Sequence, residues 1–334
     1  MRRRDFIAGL AVALPVTARA QQAERVRRVG MLLGSAIASS LESQASLDAF
    51  VQGLAKLGWT EGGNLRIESL SAVGNPDNVS GYETELATLA PALAALAPDV
   101  ILTNGTRTLE AMLRATRTVP IVFVNVTDPA NAGFLDGLIR PGGNATGFTN
   151  FQSDIAGKWL ELLKEIAPSV TRVGVLRDPA TNAGSEQWAA LQAAAPSLRM
   201  QVIQADLGRE SEIVRAFGAF SRSSNSGLVV TVSTLATVHR KPIIALAAQH
   251  KLPAVYPRRL FVDDGGLISY GADLIQQYRL AAGYVDRILR GAKTGDLPVQ
   301  APTNYELVIN LKTAKALGLT APPQLLTRAS EVIE

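Results

Sequence analysis

The sequence predicts an α/β fold made of two doubly wound parallel-sheet lobes, and three observations carry that expectation. Short apolar runs alternate with amphipathic helical stripes, the βαβ rhythm of a parallel sheet covered on both faces. The rhythm pauses at a glycine cluster, "RPGGNATG" (140–147), and then begins again. The chain has 334 residues, a length that suits about two domains with sizeable cores.

In the first half, "RRVGMLLG" (27–34) reads as a buried strand. A helix over 46–57 follows, with Leu47, Phe50, Val51, Leu54 and Leu57 on one stripe. "NLRIESL" alternates as a strand and 81–97 is an Ala/Leu-rich helix. "PDVILTNG" is the next strand, and "TRTLEAMLRAT" a helix with Thr106 as N-cap. "VPIVFVNV" closes the series. Beyond the glycines, "DIAGKWLELLKEIAP" is a helix capped by Ser153 or Asp154, followed by the strand "RVGVLRD" and a helix over 184–195. The strands "MQVIQADL", "GLVVTVS" and "LPAVYP" then alternate with helices over 211–220 and 239–250.

The glycine cluster matches neither phosphate-binding loop. No Lys follows the glycines as a Walker loop requires, and Gly142 and Gly143 are adjacent where a dinucleotide fingerprint needs spacing. Pro141-Gly142-Gly143 reads as a turn. Gly142, Gly143 and Gly147 are therefore the expected hinge between the lobes, with a cleft beside them.

The N-terminus, "MRRRDFIAGLAVALPVTARAQQ", reads as a cleaved export signal over residues 1–20. Arginines precede an apolar run, and Ala18-Arg19-Ala20 supplies the small-x-small cleavage site. The run is about ten residues against the roughly twenty that span a bilayer, so no stable membrane insertion is expected. Arg3-Arg4-Asp5-Phe6-Ile7 resembles a twin-arginine signal, with Arg2 in place of the usual Ser or Thr, and the general secretory route stays open. Removing residues 1–20 takes away four arginines and one aspartate, leaving 29 basic and 28 acidic side chains. That balance offers nothing to a polyanion, and no nucleic-acid partner is expected. The chain contains no cysteine, which excludes disulfides, thiolate metal sites and a lipid-modified N-terminal cysteine.

Catalysis has little support in the sequence. His239 and His250 are the two histidines, about 16 Å apart along one expected helix and too far for a shared metal. Neither a G-x-S-x-G elbow nor an H-E-x-x-H motif occurs, and Asp263-Asp264 before Gly265-Gly266 reads as a turn. No enzyme, cofactor or metal is expected, with an α/β enzyme acting on a small exported substrate as the alternative.

Four stretches identify a family: "FVQGLAKLGWTEGGNLRIE" (50–68), "RATRTVPIVFVNVTDPANAGFLDGLIRPGGNATGFT" (114–149), "GGLISYGADLIQQYRLAAGYVDRILRGAK" (265–293) and "ELVINLKTAKALGLTAPPQLLTRASEVIE" (306–334). They resemble the substrate-binding proteins of ABC transporters related to tryptophan- and other amino-acid-binding lipoproteins. The resemblance implies a type I periplasmic-binding-protein-like fold, two lobes joined by a hinge of three crossovers. It places residues 28–146 with 267–298 in lobe one and 147–266 with 299–334 in lobe two. "SYG" would lead back to lobe one, the helix from about Leu274 to Arg290 would pack there, and "YELVIN" would cross again. The implied function is the periplasmic solute-binding component of an importer, capturing an amino acid or similar small organic solute between closing lobes. The implied partners are ABC permease and ATPase subunits, with the protein itself a monomer. A ligand-sensing partner of a receptor would need the same cleft. The lipobox cysteine of lipoprotein members is absent, so a free periplasmic protein is expected.

The expected ligand contacts lie where strands run into helices. Ser35 follows the first strand. Asn104-Gly105-Thr106 could hold a carboxylate at a helix N-terminus, or Thr106 could simply cap its helix. Asp128 suits an ammonium group or an Asp-Pro turn. Asn182, Ser185 and Ser233 are the candidates in lobe two, and Phe151 and Tyr270, near the crossovers, could stack on a planar ligand.

Overall fold

The computed structural model describes residues 25–34, 41–72, 79–127, 143–150, 155–179, 182–207, 210–220 and 225–334. The first sheet contains β1 (Arg27–Gly34), β2 (Leu65–Ala72), β3 (Val100–Asn104), β4 (Ile121–Val126) and β5 (Ala145–Thr149), ordered β2-β1-β3-β4-β5 and parallel throughout. The interior strands β3 and β4 are buried along their whole length, whereas the edge strand β2 is only partly covered. That contrast explains why "VILTN" and "IVFVNV" read as continuous runs and "LRIESLSA" alternates. Successive β1 side chains serve opposite faces. Val29, Met31 and Leu33 cluster with Phe50 and Leu54 of α1 (Leu41–Lys56). On the other face, Leu32 clusters with Leu93 of α2 (Val79–Ala95) and Met112 of α3 (Thr106–Ala115).

The second sheet contains β6 (Arg172–Arg177), β7 (Gln201–Asp206), β8 (Ser226–Val230), β9 (Ala254–Tyr256), β10 (Ile268–Ala272), β11 (Tyr305–Asn310) and β12 (Glu331–Ile333). Their order is β12-β11-β10-β9-β8-β6-β7, with β10 and β11 antiparallel and every other pair parallel. One face packs on α4 (Ile155–Ile166) and α5 (Asn182–Ala194) around the fully buried Trp159. The other packs on α6 (Glu210–Phe220), α8 (Arg240–Gln249) and α9 (Arg259–Asp263), while α7 (Thr234–Val238) follows the end of β8.

Helix α10 (Leu274–Leu289) returns to the first lobe: Tyr278, Ala281 and Val285 share a core cluster with β1 and α1. The Trp59 indole at the end of α1 donates to Asp286 of α10 at 2.8 Å, clamping the two helices. The chain then enters β11 and ends with α11 (Leu311–Ala316), α12 (Pro323–Arg328) and β12 in the second lobe.

Two crossings fall later than the sequence suggests. β10 pairs with β9 and β11, and Leu267 and Ile268 fill the second core, so the return to lobe one begins at Asp273 rather than ahead of Leu267. β5 likewise stays in the first sheet to Thr149. Gly147 is thus a strand residue and not a crossover. A Cβ there would sit 2.0 Å from the Phe123 carbonyl oxygen, so this glycine permits the close approach of β5 to β4. The Gly143 carbonyl accepts from Thr294 at 2.6 Å, and Gly143 precedes the entry to β5 rather than bridging the lobes. Gly142 lies outside the described residues. Among the described residues, no helix is long and apolar enough to cross a membrane.

Candidate functional site

The carboxyl ends of β3, β4 and β5 carry three buried asparagines, Asn104, Asn125 and Asn150. Their amides form a ladder. Asn150 donates to Asn125 at 2.7 Å, Asn125 donates to Asn104 at 3.2 Å, and Asn104 donates to the Tyr278 phenol at 2.6 Å. Asn125 sits in the left-handed region at φ 57, where the β4–β5 register shifts, so the backbone turns its side chain out of the strand's alternation. Gln277 of α10 holds that irregularity in place. Its side-chain oxygen accepts from the Asn125 backbone N–H at 3.0 Å, and its amide donates to the Thr149 carbonyl at 3.0 Å. The late-returning helix therefore buttresses the strand ends from behind.

Gly105, at φ 95, is the N-cap of α3 and offers no side chain, so the expected cap at Thr106 is corrected to a first-turn position. The Thr106 hydroxyl instead accepts from the Thr127 backbone N–H at 3.2 Å, tying the β3 and β4 loops together. Thr108 caps the carbonyls of Asn104 and Gly105 at 2.7 and 2.8 Å.

In the second lobe Ser233 is buried and its hydroxyl accepts from the Ala236 N–H at 2.9 Å, a helix cap. Ser185 is exposed, 3.5 Å from an Arg177 nitrogen, and Asn182 opens α5. Tyr270 is half-buried against the second core and stacks on Tyr305 with centroids 5.7 Å apart. Its ring already has an aromatic partner, which leaves less of it for a ligand. Ser35, Asp128 and Phe151 lie outside the described residues.

Sequence reasoning missed the pair that joins the lobes. Glu42, in the first turn of α1 beyond β1, receives a 2.8 Å bond from Arg258, just beyond β9. Both lie past the carboxyl ends of their sheets, so those ends face one another across a cleft. It also missed Asn125, whose signal is a polar residue interrupting the buried run "IVFVNV", and Gln187, which is fully buried and holds the Val232 N–H at 3.0 Å. Near the crossovers, burial pushes the Glu306 carboxyl up to about 7, reinforced by the charges of Glu42 and Asp273 and opposed by Arg259. Among the described residues no group of three metal-ligating side chains comes together.

Two α/β lobes, one sheet parallel and the other parallel but for its β10–β11 pair, with polar carboxyl edges facing each other, define a two-lobed ligand-binding protein, similar in fold to periplasmic binding proteins. The chain belongs to the ABC transporter substrate-binding protein family, whose model matches residues 36–333. A curated relative, the tyrosine-binding protein of Clostridioides difficile (strain R20291), is 27% identical over 286 residues, covering 84% of this chain and 80% of that one. A conserved domain protein from Vibrio cholerae superposes with a TM-score of 0.79 at 28% identity, over 92% of this chain and all of the other. The ABC domain in complex with L-Trp from Streptococcus pneumoniae gives 0.76 at 24% identity, over 91% of this chain and 100% of that one, a likeness of fold. The protein is thus a substrate-binding component of an ABC transporter, a class that captures small ligands for a permease, and its relatives are solute-binding proteins rather than enzymes.

Proposed function

We propose that the chain is the periplasmic solute-binding subunit of an importer for an amino acid, captured between two closing lobes and released to a permease driven by an ATPase. The carrying observation is the facing pair of carboxyl edges, lined by the amide ladder Asn104–Asn125–Asn150 in one lobe and met by Arg258 of the other. Neutral amides and helix-end N–H groups suit a small polar ligand of no net charge, and the tyrosine and L-Trp in the names of two relatives agree with that class. Ligand contacts available only when both lobes engage would shift the hinge equilibrium toward the closed form. Residues 1–20 would be removed on export, leaving a monomer of residues 21–334.

A thermal-shift screen of residues 21–334 against the twenty amino acids, sugars and aromatic acids tests this reading. A specific binder at one hundred times its Kd adds about 2.7 kcal/mol of stability. The expected outcome is a clear shift with one or a few amino acids, each recovered unchanged in mass. Stabilisation by sugars alone would overturn the amino-acid reading, and a ligand recovered with altered mass would favour an enzyme.

A further inference from the structure

Glu42 and Arg258 form the one described ion pair in which both side chains are more than nine-tenths buried. Their contact is single, from Arg258 Nη2 to Glu42 Oε2, and Arg258 Nε is buried with no partner at all. A guanidinium offers five N–H donors in a planar fork, so this one is far from saturated. The two residues come from different lobes, each just past the carboxyl end of its sheet. Backbone packing fixes the arginine: a Cβ on Gly271 would fall 1.9 Å from the Pro257 carbonyl oxygen, so β10 runs directly against the residue preceding Arg258. Both charges act on the Tyr278 phenol, which donor Asn104 joins to the amide ladder.

We propose that Glu42 and Arg258 recognise the charges of the ligand: they separate on binding, Glu42 accepting the α-ammonium and Arg258 holding the α-carboxylate of an amino acid. The proposal rests on the amino-acid reading above and deepens it. A buried charge stripped of its partner is strongly destabilising. A zwitterion replaces both partners at once, so the site carries no net charge before or after binding. A carboxylate without an amine would claim Arg258 and strand Glu42, and an amine without a carboxylate would strand Arg258. The pair therefore selects ligands bearing both charges. Because its members sit on opposite lobes, the same contacts bridge the cleft.

The test is calorimetric titration of residues 21–334 with the amino acid that stabilises it most, beside the deaminated and decarboxylated analogues of that amino acid. For L-tyrosine these are 3-(4-hydroxyphenyl)propionate and tyramine. The unaltered chain should prefer the amino acid over each analogue by about 30-fold or more. In Glu42→Gln the preference over the deaminated analogue should fall by about tenfold or more, and in Arg258→Gln the preference over the amine should fall likewise. The double variant Glu42→Gln/Arg258→Gln buries no lone charge and keeps the test available where a single variant fails to fold. It should lose both preferences. A folded variant that retains the ratios of the unaltered chain overturns the proposal while leaving amino-acid transport intact. If the unaltered chain binds no amino acid, the transport reading falls first and this one with it.

Discussion

Asn125 shows how much one residue can settle at the rim of a cleft. Its left-handed backbone, its amide bonds to Asn104 and Asn150, and the grip of Gln277 on its N–H all depend on one another. Replacing it separates the contributions. Asn125→Gly keeps the backbone at ease but removes the amide, and Asn125→Ala adds the left-handed penalty of about 1–2 kcal/mol. Urea unfolding should therefore place Asn125→Ala below Asn125→Gly, with both below the parent. The ladder was only half legible in the sequence. Asn104 stands out at a strand-to-helix junction, but the bulge that turns Asn125 depends on Gln277, 152 residues further along the chain. Glu42 and Arg258, 216 residues apart, carry no local pattern that would pair them. Ser233 shows the opposite case, a residue in the expected place whose hydroxyl is occupied by its own helix.

At the scale of elements, helix α10 is the part that makes the first lobe whole, and its attachment has a weak point that can be probed. Asp286 accepts from the Trp59 indole at 2.8 Å and from Arg290 at 2.6 Å, and its side chain is largely buried. Asp286→Ala leaves the indole N–H without its acceptor and should cost about 1–3 kcal/mol in thermal or urea unfolding. Arg290 is 60% exposed, and Arg290→Ala should cost under about 1 kcal/mol. Equal losses would mean that Arg290, which also donates to the Leu57 carbonyl at 2.9 Å and lies over the Trp59 ring, holds the corner as firmly as the indole bond does. Elements of this kind were the most legible: the apolar runs fell on strands and the stripes on helices, because central parallel strands must be apolar on both faces. Crossing points were less legible. An apolar segment such as "LIS" fits either core, and only pairing with β9 and β11 decides it.

For the whole molecule, the carboxylates gathered near the crossovers make stability depend on pH. Glu306 is protonated in the fold up to about pH 7, against 4.5 for its ordinary value, so the native state holds a proton that the unfolded chain releases. The sign follows: this group's contribution falls as pH rises from about 4.5 to about 7. Glu306→Gln removes the dependence, and the variant should gain on the parent by at most about 3 kcal/mol between about pH 5 and pH 8. Unfolding curves at the two pH values check it, and parallel behaviour of variant and parent would exclude Glu306 as the source.

The path of the chain sets a schedule for its own assembly. The apolar side of α1 rests on β1 from the start, but its cover is complete only when α10 arrives more than two hundred residues later, and β11 and β12 join the second sheet later still. A chain halted before α10 therefore owns no finished first lobe. One halted between α10 and β11 would own the first lobe and lack two strands of the second sheet.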